Sequence, residues 1–195
     1  AIIDAITEGR LDAEIGVVLW NRADAAGLAR AQVAGIETLV LNHADKSRFP
    51  TREEYDRELV RQLKMRDVRM VCLAGFMRLL SPAFIDEFPN AILNIHPSLL
   101  PSFPGMNAQY QAWEHGVKQT GVTVHLVTRE LDGGPVVLQE AVPVLDSDNP
   151  EVLAARLLQP HHQLSPPPVR PMPVGPWALA GRRSWRTFTR CLAPP

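Results

Sequence analysis

TREEYDRELVRQLKMRDVRMVCLAGF, residues 51–76, contains one full step of an α/β fold. Thr51 followed by Glu54 has the spacing of a capping box, in which each side chain bonds the other's backbone N–H, and it opens a helical run through Met65. VRMVCLAGF then gives an unbroken apolar stretch, the pattern of a strand covered on both faces in a parallel sheet. Toward the N-terminus, TLVL reads as a strand, NRADAAGLARAQVAGI as an alanine-rich helix ending at a glycine, AEIGVVLW as a short buried strand, and AIIDAIT as the back half of a helix. Toward the C-terminus a short helix follows Ser81-Pro82, then the strand AILNIH and a helix from about Asn107 to His115. Two β-rich runs, GVTVHLVT and GPVVLQEAVPV, come next and are close enough in sequence to pair antiparallel. The alternation predicts an α/β fold with a mostly parallel central sheet, helices on both faces and an antiparallel edge. Ligands of such sheets sit at the carboxyl ends of the strands.

With 195 residues, 46% of them apolar, the chain suffices for one core and is short for two. Twenty Lys and Arg against 21 Asp and Glu leave no field that favours nucleic acid or an anionic membrane, so the expected partners are small molecules. Cys72 and Cys191 make neither a disulfide framework nor a CxxC metal spacing, which suits a reducing cytoplasm, and no metal is expected. No stretch approaches the roughly 18 uninterrupted apolar residues of a membrane span, and AIIDAITEGR lacks the features of a signal peptide. From Pro160 the composition changes: half of the 18 prolines lie there, and no acidic residue follows Glu151. The expected organisation is a core domain over residues 1–158 and an irregular Pro/Arg-rich tail over 159–195. The tail reads as a disordered extension, with a partner-binding polyproline segment or an aberrant reading frame as the alternatives.

AILNIHPSLLPSFPG, residues 91–105, is the most informative segment for chemistry. Asn94 and His96 are two apart on a strand, so an amide and an imidazole project from one face, while Leu93 and Ile95 take the other. Pro97 stops the strand and leaves the pair at its carboxyl end. The alternative is a hydrogen-bonded pair that only closes the strand.

HPSLLPSFPG, the earlier CLAGFMRLLSP and the later ELDGGPVVLQ together resemble the formyltetrahydrofolate-using transferases, over most of residues 1 to about 158. ADAAGLARAQVAGI is similar to the branch of that family that formylates 5'-phosphoribosylglycinamide (GAR), rather than those that formylate methionyl-tRNA or hydrolyse the folate. The resemblance implies a Rossmann-like formyltransferase fold and a role in purine synthesis, with 10-formyltetrahydrofolate as co-substrate and GAR as acceptor. It also implies that Asn94, His96 and Asp132 are the catalytic group. The chemistry fits: attack of the amine on the formyl carbon builds negative charge on the formyl oxygen, which an amide N–H and a protonated imidazole can receive. A free histidine of pKa roughly 6.5 is mostly neutral at pH 7, and a carboxylate beside it favours the charged form. Asp132 is expected in that role and as a proton relay, although Asp-Gly-Gly is also a common turn in which aspartate bonds only its own backbone.

By the same resemblance the folate is held by Met77, Arg78, Leu79 and Leu80, with Asn94 and the loop Thr128, Arg129, Glu130, Leu131 and Asp132 opposite, and with Arg52 helping to hold the anionic ligands. Without it, Leu79 and Leu80 read as core, Met77 as a gap-filler and Arg52 as a solvated arginine. Gly105 is expected near the substrate entrance and His125 as a hydrogen-bonded supporting histidine. His43 and His115 are expected at the surface, and His161 with His162 has no companions for a metal site. AIIDA resembles the family's helix just past a glycine-rich, phosphate-holding turn, so the first strand and that turn are expected to be absent, leaving two strand edges unpaired. Pro160 is expected to interrupt the last helix, and Trp20 stands where relatives carry a small residue.

Overall fold

The computed structural model describes residues 1–164 and 189–192, the backbone alone for 159–164 and 189–192. Helices and strands alternate: α1 (Ile2–Thr7), β1 (Val18–Trp20), α2 (Ala26–Val33), β2 (Thr38–Val40), α3 (Arg52–Lys64), β3 (Met70–Ala74), α4 (Pro82–Glu87), β4 (Ile92–His96), α5 (Ala108–Glu114), β5 (Gln119–Leu126), β6 (Val136–Pro143), α6 (Pro150–Leu164) and β7 (Thr189–Leu192). The strands form one mixed sheet of order β2-β1-β7-β3-β4-β5-β6. β4 joins β3 in parallel, whereas β5 and β6 add an antiparallel edge beyond it.

Local signals in the sequence produce the helix starts. At α3, the Glu54 N–H donates to Thr51 Oγ1 at 3.2 Å and the Thr51 N–H to Glu54 Oε2 at 3.0 Å, so the capping box satisfies two otherwise orphaned donors. At α4, Ser81 Oγ accepts from the Phe84 N–H, and Pro82 occupies the first turn, where its missing N–H costs nothing.

The sheet is covered on both faces, as its continuous apolar strands require. On one face Val71, Leu73 and Ile92 pack with Leu59 and Leu63 of α3 and with Phe84 of α4. On the other, Cys72, Leu93 and Ile95 pack with Leu153 and Leu157 of α6. Alternation along β4 therefore puts Leu93 and Ile95 against α6 and leaves Ile92, Asn94 and His96 on the opposite side, with the polar pair at the carboxyl end.

Three expectations are corrected. α6 continues through Pro160 to Leu164, so the division at 158/159 falls inside a helix; the buried Leu153 and Leu157 dock that helix on the sheet and offset the one lost backbone bond. The tail is not wholly irregular, because Thr189–Leu192 forms β7; residues 165–188 and 193–195 lie outside the described residues. The position between β1 and β3 is filled: β7 runs parallel to both, pairing Met70 with Thr189 through Leu73 with Leu192, and Leu19 with Leu192. The two edges expected to be unpaired thus have a partner, supplied from the far end of the sequence.

Trp20 also finds its explanation. The indole is buried with Val18, Leu28 and Ala31, and a Cβ at position 27 would stand 2.6 Å from its ring, so Gly27 is what lets α2 lie over it.

Candidate active site

Asn94, His96 and Asp132 converge at the carboxyl end of β4. The Asp132 carboxylate reaches His96 from the loop after β5: Oδ2 lies 3.5 Å from His96 Nδ1, and the two side chains are 10% and 6% exposed. Its partners are distant in sequence, which answers the simpler reading of Asp-Gly-Gly as a self-bonded turn. Gly105 donates its N–H to Oδ2 at 2.8 Å, and Oδ1 lies 3.6 Å from His125 Nε2. Asp132 adopts a left-handed conformation (φ 49°) that costs a non-glycine residue about 1 kcal/mol and is held here by these contacts. Gly134 completes the motif by close approach, since a Cβ there would come within 1.8 Å of the Leu126 carbonyl.

His96 has an assigned partner on each nitrogen. Nε2 is 2.9 Å from the carbonyl oxygen of Phe103, which can only accept, so Nε2 carries a proton and donates it. Nδ1 is left facing Asp132. The Asp132 carboxylate is the group nearest to it on that side. At 3.5 Å the separation exceeds a good hydrogen bond, which leaves Nδ1 able to donate to a third group.

Asn94 is fixed by the strand beside it. In the β4–β5 ladder Asn94 is opposite His125 and His96 opposite Thr123. Asn94 Nδ2 is 3.1 Å from His125 Nε2, and His125 Nδ1 is 3.1 Å from the Leu126 carbonyl. His125 therefore donates from Nδ1 and accepts at Nε2, the neutral tautomer, and burial holds its pKa below the usual 6.5 in agreement. One amide N–H of Asn94 is used in this contact and the other remains for a ligand.

The remaining expected positions divide. Met77 and Leu79 are 52% and 56% exposed, whereas Leu80 is buried in the core with Phe84. Arg78 lies 4.6 Å over the ring of Tyr55, whose hydroxyl donates to the Leu41 carbonyl and whose pKa burial pushes up to about 12. Asp56, next in α3, accepts from the Ser81 N–H at 2.6 Å, and burial raises its pKa. Arg52 heads α3, exposed and paired with Glu53 at 3.2 Å. In the loop after β5, Arg129 pairs with Asp86 of α4 at 2.8 Å, which ties that loop to the segment that follows Met77–Leu80; Thr128 is half-buried, and Glu130 and Leu131 are exposed. His115 is exposed against Phe103, but His43 is half-buried, 3.0 Å from the Asn21 amide and edge-on to Tyr55, so its expected surface position is corrected.

Two groups that hold the site, the Phe103 carbonyl and the Thr123 hydroxyl, were not anticipated from the sequence. The Phe103 carbonyl is backbone and leaves no trace in residue identity. Thr123 had a signal, since Thr123 and His125 alternate in GVTVHLVT as Asn94 and His96 do in LNIH. Among the described residues no group of three or more His, Cys, Asp or Glu is placed to hold a metal, and no helix is long and apolar enough to cross a membrane.

A family model described as formyl transferase matches residues 1–168. The chain belongs to the formyl transferase family. Within the family, phosphoribosylglycinamide formyltransferase of Escherichia coli (strain K12) is 47% identical over 166 residues, covering 85% of this chain and 77% of that protein. The trifunctional purine biosynthetic protein adenosine-3 of Homo sapiens is 45% identical over 166 residues, of which the match spans 16% of the larger protein. Among solved structures, glycinamide ribonucleotide transformylase 1 from Symbiobacterium toebii superposes with a TM-score of 0.82 at 48% identity, covering 87% of this chain and 78% of that one. Phosphoribosylglycinamide formyltransferase from Bacillus halodurans gives 0.80 at 38% identity, covering 85% and 84%.

Proposed function

We propose that this formyl transferase moves the formyl group of 10-formyltetrahydrofolate to the amine of GAR, in de novo purine synthesis. Family membership and the likeness to phosphoribosylglycinamide formyltransferases support the reaction class. One observation carries the mechanism: His96 and Asp132 face each other across 3.5 Å beside the Asn94 amide, on the carboxyl edge of the sheet.

In this scheme the GAR amine nitrogen forms a bond to the formyl carbon, and the carbonyl electron pair moves to oxygen. Asn94 and the His96 Nδ1–H donate to that oxygen, each such donor being worth roughly 3 kcal/mol to a developing oxyanion. Collapse breaks the bond to the folate nitrogen, which takes up the proton the amine gives up, and Asp132 relays that proton directly or through water. Met77 and Leu79 offer apolar surface to the pterin, and the backbone from Thr128 to Asp132 offers groups for its edge. Arg52, exposed at the start of α3, supplies positive charge for anionic parts of the ligands. We assign the reaction to the cytoplasm.

The test is to incubate the purified chain with both substrates and follow formyl-GAR and tetrahydrofolate by mass spectrometry. Formyl-GAR that depends on both substrates supports the proposal. Folate consumed equally without GAR indicates a hydrolase instead, and folate binding without any turnover a folate-binding remnant; either outcome sinks the reading.

A further inference from the structure

Thr123 lies directly opposite His96 in the ladder and is fully buried. Its hydroxyl makes three bonds, two of them to the loop that leaves β4: it donates to the Ser98 carbonyl at 2.6 Å and accepts from the Leu100 N–H at 3.1 Å. The third comes from Gln139 on the edge strand β6, whose amide donates at 2.9 Å to Thr123 and at 2.8 Å to the Leu100 carbonyl. Both backbone groups of Leu100 and the carbonyl of Ser98 are thereby held from the antiparallel edge.

The loop carries this constraint to the imidazole. Ser98, itself fully buried, donates its hydroxyl to the Ser102 carbonyl at 2.5 Å and lies 3.3 Å from that of Phe103. Phe103 is left-handed (φ 54°), a conformation that persists in a non-glycine residue only when its surroundings fix it, and its carbonyl is the group that takes the His96 Nε2 proton. Two residues on, the Gly105 N–H holds Asp132. The direction of Nδ1, and its distance to the carboxylate, are thus set by a loop that Thr123 and Gln139 secure. Gln139 is largely exposed, so its side chain contributes hydrogen bonds here rather than core packing.

We propose that Thr123 and Gln139 are positioning residues for the transfer reaction: through the Ser98–Gly105 loop they orient His96 so that Nδ1 faces Asp132 and the substrate. The inference rests on the function proposed above. Thr123→Val keeps the shape and removes the hydroxyl, Thr123→Ser keeps the hydroxyl, and Gln139→Met keeps the length at an exposed position and removes the amide.

Two measurements on the full chain separate this idea from the functional reading. In steady-state kinetics with GAR and 10-formyltetrahydrofolate, Gln139→Met and Thr123→Val are expected to lower kcat about tenfold or more, with KM for the folate held within about twofold and Thr123→Ser restored to near wild type. Unchanged kcat in Gln139→Met, a rise in KM as its only change, or equal damage from Thr123→Ser and Thr123→Val would overturn the proposal. In parallel, NMR of 15N-histidine-labelled protein reads the His96 Nε2–H bond without turnover. Altered His96 signals in Gln139→Met support positioning even if the wild type fails to formylate GAR, and unaltered signals refute it whatever the activity. Should Thr123→Val not fold, Gln139→Met alone decides.

Discussion

Oδ2 of Asp132 stands 3.5 Å from Nδ1 of His96, and the same oxygen accepts the Gly105 N–H at 2.8 Å. One carboxylate thus faces Nδ1 of the imidazole and anchors the loop that holds the ring through its other nitrogen. The group beside Nδ1 and the anchor of the loop that meets Nε2 are therefore the same carboxylate.

That sharing makes His96 and Asp132 separable by substitution. His96→Ala is expected to lower kcat by about a hundredfold or more, the range for losing one donor to an oxyanion. Asp132→Asn keeps an acceptor for the Gly105 N–H and removes the charge, so kcat should fall while folate affinity, measured by titration with a folate analogue, stays close to wild type. Undiminished turnover in either variant contradicts the assigned roles.

His125 gives a pH dependence. Burial holds its folded pKa below the ordinary value of 6.5, so the unfolded chain binds the proton more readily. The contribution is fully present above that unfolded value and is lost as pH falls through the lower folded one, where a protonated Nε2 can no longer accept from Asn94. Urea unfolding at pH 5, 6 and 7 should show wild-type stability declining toward pH 5, with a shallower decline in His125→Gln. Equal slopes would remove His125 from the account.

Gly27 and Trp20 should be coupled. Replacing a helical glycine with alanine ordinarily stabilises by up to about 1 kcal/mol, but here the new Cβ would lie 2.6 Å from a buried indole, so Gly27→Ala is expected to destabilise by about 1–3 kcal/mol. In a Trp20→Val background the same change should cost much less. Additive effects on the thermal midpoint would show that the contact does not decide the sign.

The place of β7 can be tested at its centre. Arg190 pairs with Val71, and a proline there removes a donor from an interior strand, leaving a ladder acceptor unpaired at a cost of about 1–3 kcal/mol. Arg190→Pro should lower stability and speed hydrogen exchange of the β3 amides Met70–Ala74. Unchanged exchange in β3 would place the segment elsewhere.

The elements that were legible in the sequence are those governed by neighbours along the chain. Thr51 and Glu54 announced α3 because a capping box spans three residues, and the same-face placement of Asn94 and His96 follows from the pleat of any strand. The pairing of β5 with β6 was legible because so short a connection offers few other partners. Pro160 misled for a related reason: its local cost to a helix is plain in the sequence, but the docking of Leu153 and Leu157 that offsets it is not.

By itself, the sequence determined the alternating α/β architecture, the polar pair at the end of β4 and the resemblance that joins Asp132 to it, because periodicity and motif are properties of short stretches. Tertiary structure alone decided that Thr189–Leu192 lies between β1 and β3, that Leu80 turns into the core while Met77 and Leu79 face outward, and that a backbone carbonyl at Phe103 orients His96. Each of these depends on contacts between residues far apart in sequence or on main-chain groups common to all residues, and composition and spacing encode neither.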